Sequence, residues 1–137
     1  MKTQFQIALL IFTFLNCFAV FAESTPVQPQ SQGDITFVSG GVGLDEVDAM
    51  QALKPNYNLH LLFVLSSGEY LSDIEVAIFD KKGYVYLQAL SLGPFMLVNL
   101  KPGSYYIKAR VDEQIIQKKV TVTNLKATSL SFIWSHE

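Results

Sequence analysis

Ten residues constrain this chain more than any others: Leu100-Lys101-Pro102-Gly103-Ser104-Tyr105-Tyr106-Ile107-Lys108-Ala109. They read as the end of one strand, a Pro-Gly turn and the start of a long alternating strand. Pro102 holds φ near the value of the first central position of a β-turn, and Gly103 is expected to supply the positive φ after it. Past the turn, Tyr105, Ile107, Ala109 and Val111 fall on one face, with Ser104, Tyr106, Lys108, Arg110 and Asp112 on the other. A strand with one apolar and one polar face belongs in a sheet that packs on a core with a single side.

Turn signals every eight to twelve residues continue this rhythm on both sides of the motif. From Tyr57 onward they predict seven strands, at 59–65, 74–80, 84–90, 95–100, 104–112, 115–123 and 128–134. Leu59 to Leu65 is nearly all apolar, as in a strand buried on both faces. Asp80-Lys81-Lys82-Gly83 is a hairpin signal, with Asp80 opening the turn and Gly83 in the left-handed position. Seven strands in about 80 residues is a β-sandwich count. Upstream, Ile35 to Val38 is a further short strand candidate. One helix is predicted, over 44–53: Leu44, Val47, Met50 and Leu53 recur at helical spacing, Asp45, Glu46 and Asp48 crowd the first turn, and Pro55 stops it. The glycines of Ser39-Gly40-Gly41-Val42-Gly43 permit a tight reversal. No Gly-Lys-Ser/Thr follows them, and the acidic helix start would repel phosphate.

The N-terminus has the form of a secretory signal peptide, residues 1–22: a positive Lys2, an apolar run from Ile7 to Phe18, and Val20-Phe21-Ala22 as a cleavage site. The run is short for a bilayer span, which needs about 20 apolar residues. Cys17, the single cysteine, lies inside this leader. Leu15-Asn16 before it lack the small residue of a lipoprotein site, so no lipid anchor is expected. The exported chain would hold no disulfide, no thiol nucleophile and no cysteine metal site. Residues 23–34, rich in Pro, Gln, Ser and Thr, read as a flexible linker, and 35–137 as the folded domain. Loss of the leader, with one Lys and no acid, takes the formal net charge from −2 to −3. A mildly acidic chain argues against nucleic acid, and it offers no polybasic segment for anionic membranes. No membrane span is expected after cleavage.

Catalytic chemistry finds little footing. His60 sits among leucines in a strand, His136 is next to the C-terminus, and no nucleophile-elbow sequence is present. Asp45, Glu46 and Asp48 lack EF-hand spacing, and no cofactor or metal site is expected. Lys108 or Lys118 with Asn99 could form an isopeptide pair, but no motif marks them. The remaining signal is aromatic. Phe79, Tyr84, Tyr86 and Tyr106 are expected on outward faces, where alignment across strands would make a platform for sugar rings or a partner protein. The alternative is that both sheet faces are partly covered, one of them by the helix.

Leu100-x-Pro-Gly-x-Tyr-x-Ile-x-Ala, the strand Ile74 to Asp80 with its Lys-Lys-Gly turn, Val120-Thr121-Val122 and Leu130-x-Phe-x-Trp together resemble the carboxypeptidase regulatory-like domains, of the small exported bacterial type. The resemblance covers about Tyr57 to Trp134. It implies a transthyretin-like (prealbumin-like) Greek-key β-sandwich, with Pro102, Gly103 and Tyr105 as its structural turn motif. It implies almost nothing about mechanism; related modules serve as folding, docking or ligand-binding units, and with the leader and the sparse catalytic residues the expectation is a non-catalytic, periplasmic or secreted binding module of the cell envelope rather than an enzyme. The expected partner is an envelope protein; a polysaccharide bound through the exposed tyrosines is the alternative. The related hydroxyisourate hydrolases end in Tyr-Arg-Gly-Ser, whereas this chain ends Ile133-Trp134-Ser135-His136-Glu137.

Overall fold

The computed structural model describes residues 27–135. The leader 1–22 with Cys17, linker residues 23–26, and His136 lie outside the described residues. The described residues form strands β1 (Gln30–Gln32), β2 (Ile35–Gly40), β3 (Leu59–Leu65), β4 (Ile74–Phe79), β5 (Val85–Ser91), β6 (Phe95–Asn99), β7 (Gly103–Val111), β8 (Gln114–Val122) and β9 (Thr128–Trp134). One helix, α1 (Leu44–Leu53), runs into a 3-10 turn, Lys54–Asn56. The class is all-β and sandwich-like. A five-stranded sheet ordered β1-β2-β6-β3-β9 faces a four-stranded sheet ordered β5-β4-β7-β8.

Strand pairing is antiparallel except between β3 and β9, which run parallel. The inward positions follow the period-2 alternation of the sequence. Phe37, Leu59, Leu61, Phe63, Met96 and Phe132 come from one sheet; Ile74, Val76, Ile78, Leu87, Ile107 and Val120 come from the other. Phe63 and Phe132 pack with ring centroids 5.5 Å apart, and Trp134 adds a third ring 6.3 Å from each. The helix lies on the outer face of the five-stranded sheet, where Met50 joins Val27, Val38, Tyr57 and Leu97 in a second apolar cluster. Leu44, the first position of its apolar stripe, stays exposed.

Three expectations are corrected. The seven strands counted from Leu59 are joined by two more, for nine among the described residues. β2 is the short strand candidate, and β1 falls inside the segment read as a linker over 23–34. Among the described residues packing therefore reaches back past residue 35 to Val27, which is buried. The reason is local: Gln32-Gly33-Asp34-Ile35 is a two-residue hairpin with Gly33 at φ +58° in the first central position, the arrangement of a type II′ turn. Second, β3 is fully buried on one face only. Its other face (His60, Leu62, Val64) is half-buried. Third, Gly103 does not take positive φ; it is the first residue of β7, paired with Val122. Its role is clearance. The Tyr105 ring folds back over it, 3.6 Å from where a Cβ would stand, and the hydroxyl donates to the Lys101 carbonyl at 2.6 Å. The Pro-Gly-x-Tyr motif is thus closed by a side-chain hydrogen bond across the turn.

Candidate functional site

Because α1 covers the other sheet, the outer face of β5-β4-β7-β8 is left open by the described residues. Register places its outward residues in rows across the strands. Leu90, Glu75, Arg110 and Ile115 form one row; Gln88, Ala77, Lys108 and Gln117 form the next. The small Ala77 side chain lowers the floor between longer neighbours, producing a trough of about 660 Å³ lined by Glu75, Ala77, Gln88, Leu90, Lys108, Arg110 and Ile115. Arg110 donates to Glu75 across the neighbouring strand as an ion pair. Leu90 and Ile115 stand at the two sides, 45% and 50% exposed. Within the four strands Lys108, Arg110 and Lys119 set three outward cations against the one outward carboxylate, Glu75, so this part of the face is basic on a chain whose formal net charge is −2.

The aromatic residues expected to form one platform lie in two separate groups. Phe79 and Tyr106 face each other across β4 and β7, rings 5.7 Å apart and 20° from parallel, with the Lys119 ammonium 6.0 Å from the Tyr106 ring. Tyr84 and Tyr86 do not join them. Ile78 pairs with Leu87 but Phe79 pairs with Val85, so Tyr86 is the extra residue of a β-bulge. A bulge changes which side its residues face. Tyr86 turns toward the core, edge-on to Tyr105 at 5.3 Å, and Tyr84 stands edge-on to Tyr86 at 4.8 Å.

This second group lines a cleft of about 150 Å³ with Gln32, Gly33, Asp34, Ile35 and Lys101. Asp80 organises it. Its Oδ1 accepts from the N–H groups of Lys82 (2.9 Å) and Tyr84 (3.0 Å), and its Oδ2 accepts from the Tyr86 hydroxyl (3.1 Å). Desolvation pushes the Asp80 carboxyl upward, but the bonds from Tyr84, Tyr86 and Lys82, with the Lys82 charge, outweigh it and hold the group below its ordinary range. The same bond to Asp80 raises Tyr86, and burial followed by the Asp80 charge raises Tyr105.

The two flanks where the sheets meet are bridged by side chains. On the β5 side, the Gln32 amide donates to the Gln88 carbonyl (3.1 Å) and accepts from its N–H (2.7 Å), while Ser39 Oγ accepts from Leu92 N–H (3.0 Å). On the β8 side, Lys118 donates to the Ser131 carbonyl (2.6 Å) and Trp134 donates to the Gln114 carbonyl (3.2 Å). Such bridges use backbone groups that an added strand would need.

His60 Nε2 lies 3.0 Å from the Lys54 carbonyl and 2.9 Å from that of Tyr57. Two carbonyl acceptors require the proton on that nitrogen, which ties the end of the 3-10 turn to β3. Among the described residues no hydrogen bond joins His60 to a serine, and no three His, Cys, Asp or Glu side chains converge as metal ligands. Asn99 is held by Asn56, Asn58 and Thr36 rather than by a lysine.

Of this face the sequence marks Phe79 and Tyr106 as candidate binding residues, and not Ala77, Leu90, Arg110 and Ile115. Their signal was present as outward positions of alternating strands; what was missing was which strands are neighbours. The chain matches no protein-family model, and no curated protein resembles it significantly, so the geometry of this face carries the functional reading.

Proposed function

We propose that the protein is a non-catalytic binding module whose open four-stranded sheet face docks an acidic segment of a partner protein in the cell envelope. The observation that carries this reading is the trough itself: an uncovered sheet face with exposed aliphatic sides, an arginine at its centre and a surplus of cations. Interfaces are enriched in arginine and apolar residues at their centres, and a basic face on an acidic chain selects an acidic partner. Four strands about 4.8 Å apart, each offering about six residues at 3.3 Å, present about 400 Å². That is half of what one partner contributes to a standard stable interface, so the contact is transient and suits a short segment. The bridged flanks make the face a better docking surface than the strand edges.

We place the fold with the transthyretin-like Greek-key sandwiches of carboxypeptidase regulatory-like type. Support comes from the Pro102-Gly103-x-Tyr105 turn closed onto Lys101 and from β3 to β9, which match the seven expected strands within a residue or two at each end. Export through the leader 1–22 completes the reading. Carbohydrate binding is the second reading, favoured by the near-parallel Phe79–Tyr106 pair beside Lys108 and Gln117.

A photo-crosslinking residue at Gln88, inside the trough, and a control at Ser129, on the other sheet, separate these readings in the producing cell. The expected result is a defined protein adduct from position 88 alone, mapped to an acidic segment. A synthetic peptide of that segment then binds the purified protein and loses at least tenfold in affinity with Arg110→Glu. Equal adducts from both positions would overturn the proposal. Retention on envelope polysaccharide that is abolished by Tyr106→Ala would replace it with the second reading.

A further inference from the structure

We infer that one end of the sandwich is a docking surface for an anionic lipid bilayer. The lysines are scattered in the sequence, but the topology gathers them. Register puts the start of β2 beside the end of β6, the starts of β3 and β9 side by side, and the ends of β4 and β8 beside the start of β7. The connecting segments 33–34, 54–58, 80–84, 100–102 and 123–127 therefore share one end. Their contacts confirm it: Tyr84, Tyr86 and Lys101 line a cleft with Gly33 and Asp34, and 123–127 line another with 55–58 and Asn99.

This end carries Lys54, Lys81, Lys82, Lys101 and Lys126, with Lys119 three residues before the end of β8. Among the described residues the carboxylates there are Asp34 and Asp80, and Asp80 is already occupied by two backbone N–H groups and a tyrosine hydroxyl. The opposite end holds Asp45, Glu46, Asp48, Glu69, Asp73, Asp112 and Glu113. The charge is segregated along the strands, so an anionic surface attracts one end and repels the other, orienting the molecule.

Two apolar side chains protrude from the lysine end. Leu125, at the tip of the β8–β9 loop, is 96% exposed, and Tyr84, in the β4–β5 turn, is 64% exposed. They flank the two edge strands of the four-stranded sheet, Tyr84 just before β5 and Leu125 in the loop after β8, and those strands are about 14 Å apart at three strand spacings. A soluble polyanion has no use for a fully exposed leucine, whereas the headgroup–acyl boundary accepts leucine and tyrosine among lysines. Those two residues decide for lipid. The sheet face of the proposed protein contact is at the side in this orientation and stays open.

The test uses the purified full chain, wild type and variants, with the N-terminus of every preparation fixed by intact mass so that all carry the same leader or none. Partitioning is measured on vesicles of phosphatidylcholine alone and mixed with phosphatidylglycerol. The expected result is stronger binding to the mixed vesicles that weakens as salt rises. Each lysine near an anionic surface is worth about fivefold, so Lys81→Gln/Lys82→Gln/Lys126→Gln together lose about a hundredfold. Leu125→Ser loses about tenfold at unchanged charge. In a Trp134→Phe background whose fold is checked by circular dichroism, Leu125→Trp shifts its emission to the blue on mixed vesicles. Lys108→Gln, on the sheet face, leaves partitioning unchanged and weakens only the protein contact, so the two proposals fail separately. Binding that ignores phosphatidylglycerol content would overturn the inference. So would binding to dextran sulfate equal to that on vesicles with no emission shift, which would make this end a site for soluble polyanions.

Discussion

Gln32→Ala tests how the β5 edge is closed. In the wild type one side-chain amide does the work of a neighbouring strand, donating to the Gln88 carbonyl at 3.1 Å and accepting from its N–H at 2.7 Å. A net hydrogen bond contributes about 0.5–1.5 kcal/mol, and exposed groups recover water when it is lost. Both residues are exposed, so the pair is worth ~1 kcal/mol. For a domain of this size that lowers Tm by about 4 °C. The sharper assay is amide hydrogen exchange at Gln88, whose N–H loses its acceptor. Its rate should rise by about fivefold or more, the factor that ~1 kcal/mol represents, while Leu87 and Ala89 stay protected. Gln32→Glu keeps the acceptor but sets a carboxylate against the Gln88 carbonyl, so stability falls while the Gln88 N–H remains protected. If Gln32→Ala leaves Gln88 exchange unchanged, the side-chain bridge does not close this edge and β1 has no structural part beyond its own hairpin.

Phe132→Ala removes a fully buried ring that packs against Phe63 and Trp134, and should cost about 3–5 kcal/mol in urea unfolding; a loss below ~1 kcal/mol would mean the sheets repack freely. Gly93→Ala would set a Cβ 2.4 Å from the Gly40 carbonyl carbon and oxygen. Backbone cannot rotate away as a side chain can, so a loss of about 1–3 kcal/mol is expected, and a neutral result would refute that close approach. For pH, Asp80 is held below its ordinary value of 3.8, so its share of stability is present above that value and is lost as pH falls through the folded value. Tyr86 and Tyr105 are raised above 10.0, so theirs is present below pH 10 and is lost as pH rises through their folded values. Urea midpoints across pH should show both limbs. Asp80→Asn should flatten the acid limb, and an unchanged limb would remove Asp80 from that role.

The open sheet face and the lysine end are compatible in one molecule because they are different sides of it. One is a lateral surface of outward strand residues; the other is a set of loop tips. A protein lying end-on at a bilayer would present its trough parallel to the membrane normal, within reach of a partner anchored beside it.

On β7 alternation alone determined the inward set, because side chains on a strand change face with every residue: Tyr105, Ile107 and Ala109 are buried where the pattern put them, whereas on β5 the bulge leaves Val85 exposed. Helix 44–53 was legible in the same way, from its spacing, its acidic first turn and Pro55. Local turn chemistry also carried Asp80 to Gly83, with Gly83 at φ +85° and its N–H on the Asp80 carbonyl. It carried less at Gln32-Gly33-Asp34-Ile35, where a hairpin signal lay hidden inside a Pro/Gln-rich composition.

What the tertiary structure decided was everything that depends on which strands are neighbours. A β-bulge at Tyr86 separated Tyr84 and Tyr86 from Phe79 and Tyr106, although the sequence pattern set all four on outward faces. Strand order put Ala77 between Gln88 and Lys108 and so made the trough. No run of sequence is polybasic, yet the loops at one end bring together lysines as distant as Lys54 and Lys126. The physical reason is common to all of these. Period and propensity act over a few residues, whereas register and sheet order are fixed by burial of the whole core, and a surface exists only once those distant choices have been made together.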